Sequence, residues 1–253
     1  MDYFSPLPIP SSGLALGFIL LPVALVAALV AGVAASTLAL GEGARAARRN
    51  AALAGGAAVL WMAATWAAAE SGWLGDFERN PPPFMLLAVG VIVLGVVLAM
   101  SPIGDRLARG LPLWVLVGVQ AFRVPLELLM HRAYYEGLMP VQMSYEGLNF
   151  DIVTGATAVA LAAALATTRV PRWLVGLWNL LGLALLVNVI VVAVLSTPRF
   201  QFFGPDHLNV WVTLAPFVWL PAVMVLAAWS GHLIIFRALV DGAREARGAT
   251  KAG

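Results

Sequence analysis

Four side chains that can do chemistry stand on one face of a single predicted membrane helix. At steps of three or four residues, this face carries Gln120, Arg123, Glu127 and His131, and residues so spaced are neighbours on an α-helix. Arginine binds carboxylates and phosphates through paired N–H donors, glutamate balances charge or takes a proton, and histidine titrates near neutral pH. The spacing therefore predicts an anion-binding or proton-handling site.

The depth of two of these charges in the bilayer makes them candidates for function. Counting from Leu113 at 1.5 Å per residue, Arg123 lies about 15 Å in, near the midplane, and Glu127 lies about 6 Å further out. A charge at that depth costs at least about 2.5–3.5 kcal/mol unless it is paired or solvated. We expect Arg123 and Glu127 to offset one another and to face the bundle interior or a water-filled cavity. A structural ion pair, or a surface that docks a partner subunit, would use the same residues.

Two more polar residues are candidates for the same outward-facing site. Glu70 ends the second predicted span on the outer side, and Asn188 lies in the outer half of the sixth. Each also has a plainer interpretation, as a solvated helix end and as a hydrogen bond to a neighbouring helix. Asp151 immediately precedes an apolar run, which predicts that it caps a helix N-terminus.

The sequence identifies no cofactor and no metal site. Cysteine is absent, so thiolate chemistry, iron–sulfur clusters and Cys-ligated zinc are excluded. The three histidines form no HxxxH or HExxH spacing, and His232 is predicted near the inner end of the last helix, far from His131 and His207. The sequence therefore assigns no metal ligands.

The elements that must position these residues are membrane helices. Of the 253 residues 61% are hydrophobic and 11% are charged, with a mean hydropathy of +0.90, whereas soluble domains are about 45–50% apolar and about 25% charged. This composition excludes a soluble enzyme, a nucleic-acid-binding module and a disordered chain. It is typical of an integral membrane protein.

Seven continuously apolar runs approach or exceed the length of about 20 residues that a helix needs to cross a bilayer. They have no period-2 alternation, which favours helices over strands. The predicted spans are 14–40, 51–70, 84–101, 113–131, 152–168, 173–196 and 210–236.

The distribution of basic residues predicts the orientation. Eleven of the 15 Lys and Arg residues fall on one side of the predicted topology, namely Arg45, Arg48, Arg49, Arg106, Arg109, Arg169, Arg172, Arg237, Arg244, Arg247 and Lys251. Three fall on the other, namely Arg79, Arg132 and Arg199, and Arg123 lies inside the fourth span. Because cytoplasmic loops carry the excess of basic residues, the N-terminus is expected outside and the C-terminus in the cytoplasm.

Together these features predict an all-α, polytopic integral membrane protein, a single seven-transmembrane-helix bundle over 1–253, in a prokaryotic inner (plasma) membrane. We expect a binding or transport protein for a small polar or anionic ligand, without a nucleic-acid partner. An intramembrane enzyme acting by metal or acid–base chemistry on a lipid-like substrate is one alternative. An accessory subunit of a larger membrane complex is another. The expected partner is the lipid bilayer. A second copy of the chain in a homo-oligomer and a partner membrane subunit both stay open as further partners.

Overall fold

The computed structural model describes residues 7–252, with side chains described as far as residue 242. It is predominantly helical, and no strand occurs in this part of the chain. Nine α-helices lie within it: α1 Ser12–Ala39, α2 Ala44–Glu70, α3 Pro83–Met100, α4 Pro102–Gly110, α5 Leu113–Val119, α6 Arg123–Tyr135, α7 Ile152–Thr167, α8 Arg172–Leu195 and α9 Leu226–Ala252.

Within the described residues, six helical segments are long and apolar enough to cross a membrane, which agrees with the predicted class. They are Ser12–Ala39, Ala44–Glu70, Pro83–Met100, Leu113–Tyr135, Arg172–Leu195 and Leu220–Gly242. The fifth predicted span corresponds to α7, an apolar helix of only 16 residues. The protein is thus an all-α membrane protein, while the seventh crossing and the orientation stay predictions.

The last span begins ten residues later than the predicted 210–236. Residues 210–219 form a short 3₁₀ turn, Trp211–Thr213, and irregular backbone, and a π-helical turn, Leu220–Val225, then leads into α9. Proline has no N–H and blocks a helix interior, so Pro216 prevents an earlier start, whereas Pro221 falls in the first turn, where proline is tolerated. This shift moves every residue of the helix relative to the bilayer.

The span Leu113–Tyr135 is interrupted where the predicted site begins. A 3₁₀ turn, Gln120–Phe122, separates α5 from α6, just ahead of Pro125, which cannot donate the hydrogen bond that a regular α-helix would require. Short 3₁₀ stretches inside helices often mark a strained or hinged position. Arg123 is the first residue after this turn.

Two large apolar clusters account for most of the buried core of the described residues, and polar residues lie between them. One cluster lies toward the loop between α6 and α7 (residues 136–151, the α6–α7 loop), and the other lies toward α4. Arg123 on α6, Asn179 on α8 and His232 on α9 separate the two. Their neighbours in the first and second clusters are, respectively, Leu126 and Val117, Leu186 and Val175, and Ala228 and Ile234. The bundle therefore has a polar layer part-way along its length.

Candidate functional site

The polar layer consists of seven buried side chains from five parts of the fold. They are Gln120, Arg123, Glu127, Asn149, Asp151, Asn179 and His232, none more than 4% exposed. Helices α6, α8 and α9 contribute five of them together with the 3₁₀ turn before α6, and the end of the α6–α7 loop contributes Asn149 and Asp151.

Arg123 is paired with Asp151, not with Glu127 as the sequence predicts. Its Nη1 donates to Asp151 Oδ1 at 2.5 Å and more weakly to the carbonyl of Gly182 at 3.4 Å. Asp151 does stand immediately before α7, but its side chain makes no capping hydrogen bond there. The carboxylate turns to the guanidinium instead, because an unpaired arginine at 0% exposure would cost several kcal/mol.

Glu127 is held by Asn149. The Asn149 Nδ2 lies 3.0 and 2.9 Å from the two carboxylate oxygens and also 3.0 Å from the carbonyl of Met143. The Asn149 Oδ1 in turn accepts the backbone N–H of Asp151 at 3.0 Å. Two residues of one loop, Asn149 and Asp151, therefore bind the two buried charged side chains of α6.

His232 belongs to the layer, although the sequence predicts it near the inner end of the last helix. Its Nδ1 lies 2.6 Å from Asn179 Oδ1, and the Asn179 amide donates to the His232 carbonyl at 3.0 Å. The face of Gly182 packs on the imidazole, since a Cβ there would lie 2.7 Å from His232 Cε1 and 2.7 Å from Thr154 Cγ2. The later start of the last span is what brings His232 to this depth.

Four polar atoms of the layer have no hydrogen-bond partner among the described residues. They are Gln120 Oε1, Arg123 Nε, Arg123 Nη2 and His232 Nε2. Buried polar groups in proteins are nearly always paired with protein or water, so each such atom calls for a physical role. Two are donors on the guanidinium, and Gln120 Oε1 is an acceptor.

Gln120 connects the layer to α9. Its Nε2 donates weakly, at 3.4 Å, to the carbonyl of Ala228, and a Cβ on Gly231 would lie 2.4 Å from the same atom. The helices approach closely here because residue 231 has no side chain. Gln120 and His232 therefore both lie at the contact with α9.

The α6–α7 loop is fastened to α8 and to the segment that follows it. Asn188 donates to the carbonyl of Leu148 at 2.7 Å, so this predicted site residue holds the loop and does not contact the charges. Gln142 donates to Ser196 Oγ at 2.9 Å and to the carbonyl of His207 at 2.8 Å. These bonds keep Asn149 and Asp151 pressed on the bundle.

The other two predicted site residues lie away from the buried charges. His131 stacks on Tyr145 with ring centroids 4.1 Å apart, and its Nε2 is 3.6 Å from Glu146 Oε1, in an aromatic group at the loop surface. Glu70 is exposed at the end of α2. Neither is brought into contact with Arg123 or Glu127.

Glu136, the first residue of the α6–α7 loop, contacts the chain segment before α1. Its carboxylate accepts the Ser11 hydroxyl at 2.6 Å and the Ser11 backbone N–H at 2.8 Å, and Arg132 Nε approaches to 2.5 Å. The hydrogen bond from the Ser11 side chain and that from Arg132 stabilise the ionised form and lower the pKa of Glu136 from its ordinary 4.5 to about 2. This contact fixes the loop at its α6 end.

Fold and site together define a polytopic helical membrane protein whose core contains a closed layer of charged and hydrogen-bonding groups. The family described as Domain of unknown function (DUF8737) matches residues 82–240, and the chain belongs to this family. The matched range contains every member of the polar layer. No curated protein and no solved structure matches the chain.

Proposed function

We propose that this protein binds or transports a small anionic ligand that reaches Arg123 from the side of the α6–α7 loop. In this proposal α7 is a seventh crossing, the N-terminus lies outside and the C-terminus lies in the cytoplasm of a prokaryotic cell whose inner membrane holds the protein. The excess of basic residues on the opposite side supports that orientation.

The observation that supports the proposal is the state of the Arg123 guanidinium. Only Nη1 is engaged, by Asp151 and Gly182, whereas Nε and Nη2 have no partner among the described residues. Nε and Nη2 present their N–H groups along one edge of the planar group, and two parallel donors match the two oxygens of a carboxylate or phosphate. A structural ion pair with Asp151 does not require this second edge.

Access to the site requires displacement of the α6–α7 loop. Arg123 is 0% exposed and Glu127 is 1% exposed, and Asn149 and Asp151 of the loop bind both. When the loop lifts, Glu127 stays beside Arg123 on α6 and balances its charge. His131 then stands at the entrance, with Glu70 more remote at the rim.

The proposal can be tested by anion-dependent stabilisation of the purified protein. The melting temperature is measured in a neutral detergent with sodium acetate, phosphate or chloride at constant ionic strength. The variants are wild type, the paired variant Arg123→Gln/Asp151→Asn, which keeps the core neutral, and Arg199→Gln as a matched surface control. A ligand that binds only the folded protein at 100 times its Kd adds about 2.7 kcal/mol of stability.

We expect acetate or phosphate to raise the melting temperature of wild type and of Arg199→Gln relative to chloride, and to leave the paired variant unchanged. Proteoliposomes then separate binding from transport, through uptake of the radiolabelled anion that stabilises the protein. The proposal is wrong if neither acetate nor phosphate stabilises wild type relative to chloride, or if the paired variant responds as wild type does.

A further inference from the structure

His232 has a defined hydrogen-bonding state within the polar layer. The Asn179 amide is oriented by its donation to the His232 carbonyl, so its Oδ1 faces Nδ1 at 2.6 Å. An amide oxygen only accepts, so Nδ1 carries the proton. The buried Nε2 of the neutral ring, which has no partner among the described residues, is therefore an acceptor.

The imidazole and the guanidinium flank the same residue of α8. A Cβ on Gly182 would lie 3.1 Å from His232 Nε2, while the Gly182 carbonyl accepts from Arg123 Nη1 at 3.4 Å. Gln120 lies one helical turn before Arg123, and its Oε1 is a second acceptor without a partner in the described chain. Arg123 and His232 thus meet at one glycine of α8, and Gln120, which contacts α9 at Gly231, adds an acceptor from the preceding turn.

We propose that His232 and Gln120 form the second half of the Arg123 site and select a small carboxylate that carries a hydroxyl group. This inference rests on the proposed function. The carboxylate oxygens take the two N–H groups of the Arg123 edge, and the hydroxyl donates to His232 Nε2 or Gln120 Oε1. A plain carboxylate satisfies the donors and leaves both acceptors buried without a partner, which penalises its binding.

The comparison that tests this inference uses acids that differ by one hydroxyl. Affinities are measured by isothermal titration for glycolate against acetate and for lactate against propionate. The proteins are wild type, His232→Leu, Gln120→Leu and His207→Leu, the last being a control because His207 is exposed on the outer loop. The Gln120 variant gives an independent result if His232→Leu does not fold.

We expect wild type and His207→Leu to bind each hydroxy acid at least about tenfold more tightly than its partner, as one satisfied hydrogen bond would give. In His232→Leu or Gln120→Leu that ratio falls toward one, with acetate affinity nearly unchanged. Equal affinities for the paired acids in wild type, or ratios unaffected in both variants, refute this inference and leave the proposed function standing. If wild type binds none of the four acids, the proposed function itself fails.

Discussion

Replacing Gly182 by alanine tests whether α8 packs tightly against His232 of the polar layer and against Thr154 of α7. An alanine Cβ would lie 2.7 Å from His232 Cε1 and 2.7 Å from Thr154 Cγ2, whereas carbon atoms pack at about 3.5–4.0 Å. The overlap is about 1 Å on two sides. Relief requires either separation of the helices or rotation of the imidazole, and rotation breaks its 2.6 Å contact with Asn179.

The expected magnitude follows from core overpacking and from a matched control on the same helix. An extra methyl group in a packed interior costs about 1–3 kcal/mol. Gly176 also lies in α8, and a Cβ there meets nothing closer than Leu239 Cδ1 at 3.8 Å, an ordinary contact. Both substitutions receive the same gain in helix propensity, so the difference between Gly182→Ala and Gly176→Ala isolates the overlap.

The measurement is reversible unfolding by titration with a denaturing detergent, followed by far-ultraviolet circular dichroism. We expect Gly182→Ala to be less stable than Gly176→Ala by about 1–3 kcal/mol. The added substitution Thr154→Ser deletes Cγ2, one of the two atoms that the new methyl group would overlap, and should restore part of the loss. Equal stability of the two alanine variants would show that α8 is not packed as described and would refute the reasoning.

Two further predictions concern the charges. Asp151→Leu leaves Arg123 buried without its carboxylate and should cost about 3–5 kcal/mol in the same unfolding titration. Asp151→Leu/Arg123→Met should cost less than Asp151→Leu alone, and additive effects of Asp151→Leu and Arg123→Met would contradict the pairing. The pKa of Glu136 is lower in the folded protein than its ordinary 4.5, so its contribution to stability is complete above about pH 5 and is lost as the pH falls toward 2. Ser11→Ala should flatten this acid limb of a melting-temperature profile, and a profile identical to that of wild type would contradict the assignment.

Most of the membrane helices and the burial of the central arginine could be predicted from the sequence. The predicted span 113–131 corresponds to the observed Leu113–Tyr135, and Arg123 and Glu127 are buried, as their cost in a bilayer demands. Continuous apolar runs reveal the membrane spans because the bilayer core favours apolar side chains along the whole length of a helix.

The partners of these charges could not be read from the sequence. Helical spacing identifies neighbours on one helix, and it pairs Arg123 with Glu127. The actual partner, Asp151, lies 28 residues away, and its position depends on how the α6–α7 loop folds back. A carboxylate before an apolar run is also explained locally, as the cap of the following helix. That explanation gives no reason to look for a distant partner such as Arg123.

The role of His232 was hidden by an error in the start of one helix. A span beginning at 210 puts this histidine near the inner end, whereas the observed span Leu220–Gly242 puts it at the centre. The available signal was Pro216, which argues against a continuous helix through that position. Asn149 carried no comparable signal, because an asparagine near a helix start is common.

Asn149 and Asp151 bind the buried charges from one short segment of the α6–α7 loop. A single residue separates them, and the Asn149 side chain also accepts the backbone N–H of Asp151. We therefore expect Asn149 to leave Glu127 and Asp151 to leave Arg123 together. A spectroscopic probe placed beside Glu127 and one placed beside Arg123 should therefore report the same relaxation time, because the carboxylate of Asp151 and the amide of Asn149 would leave the membrane interior in one event.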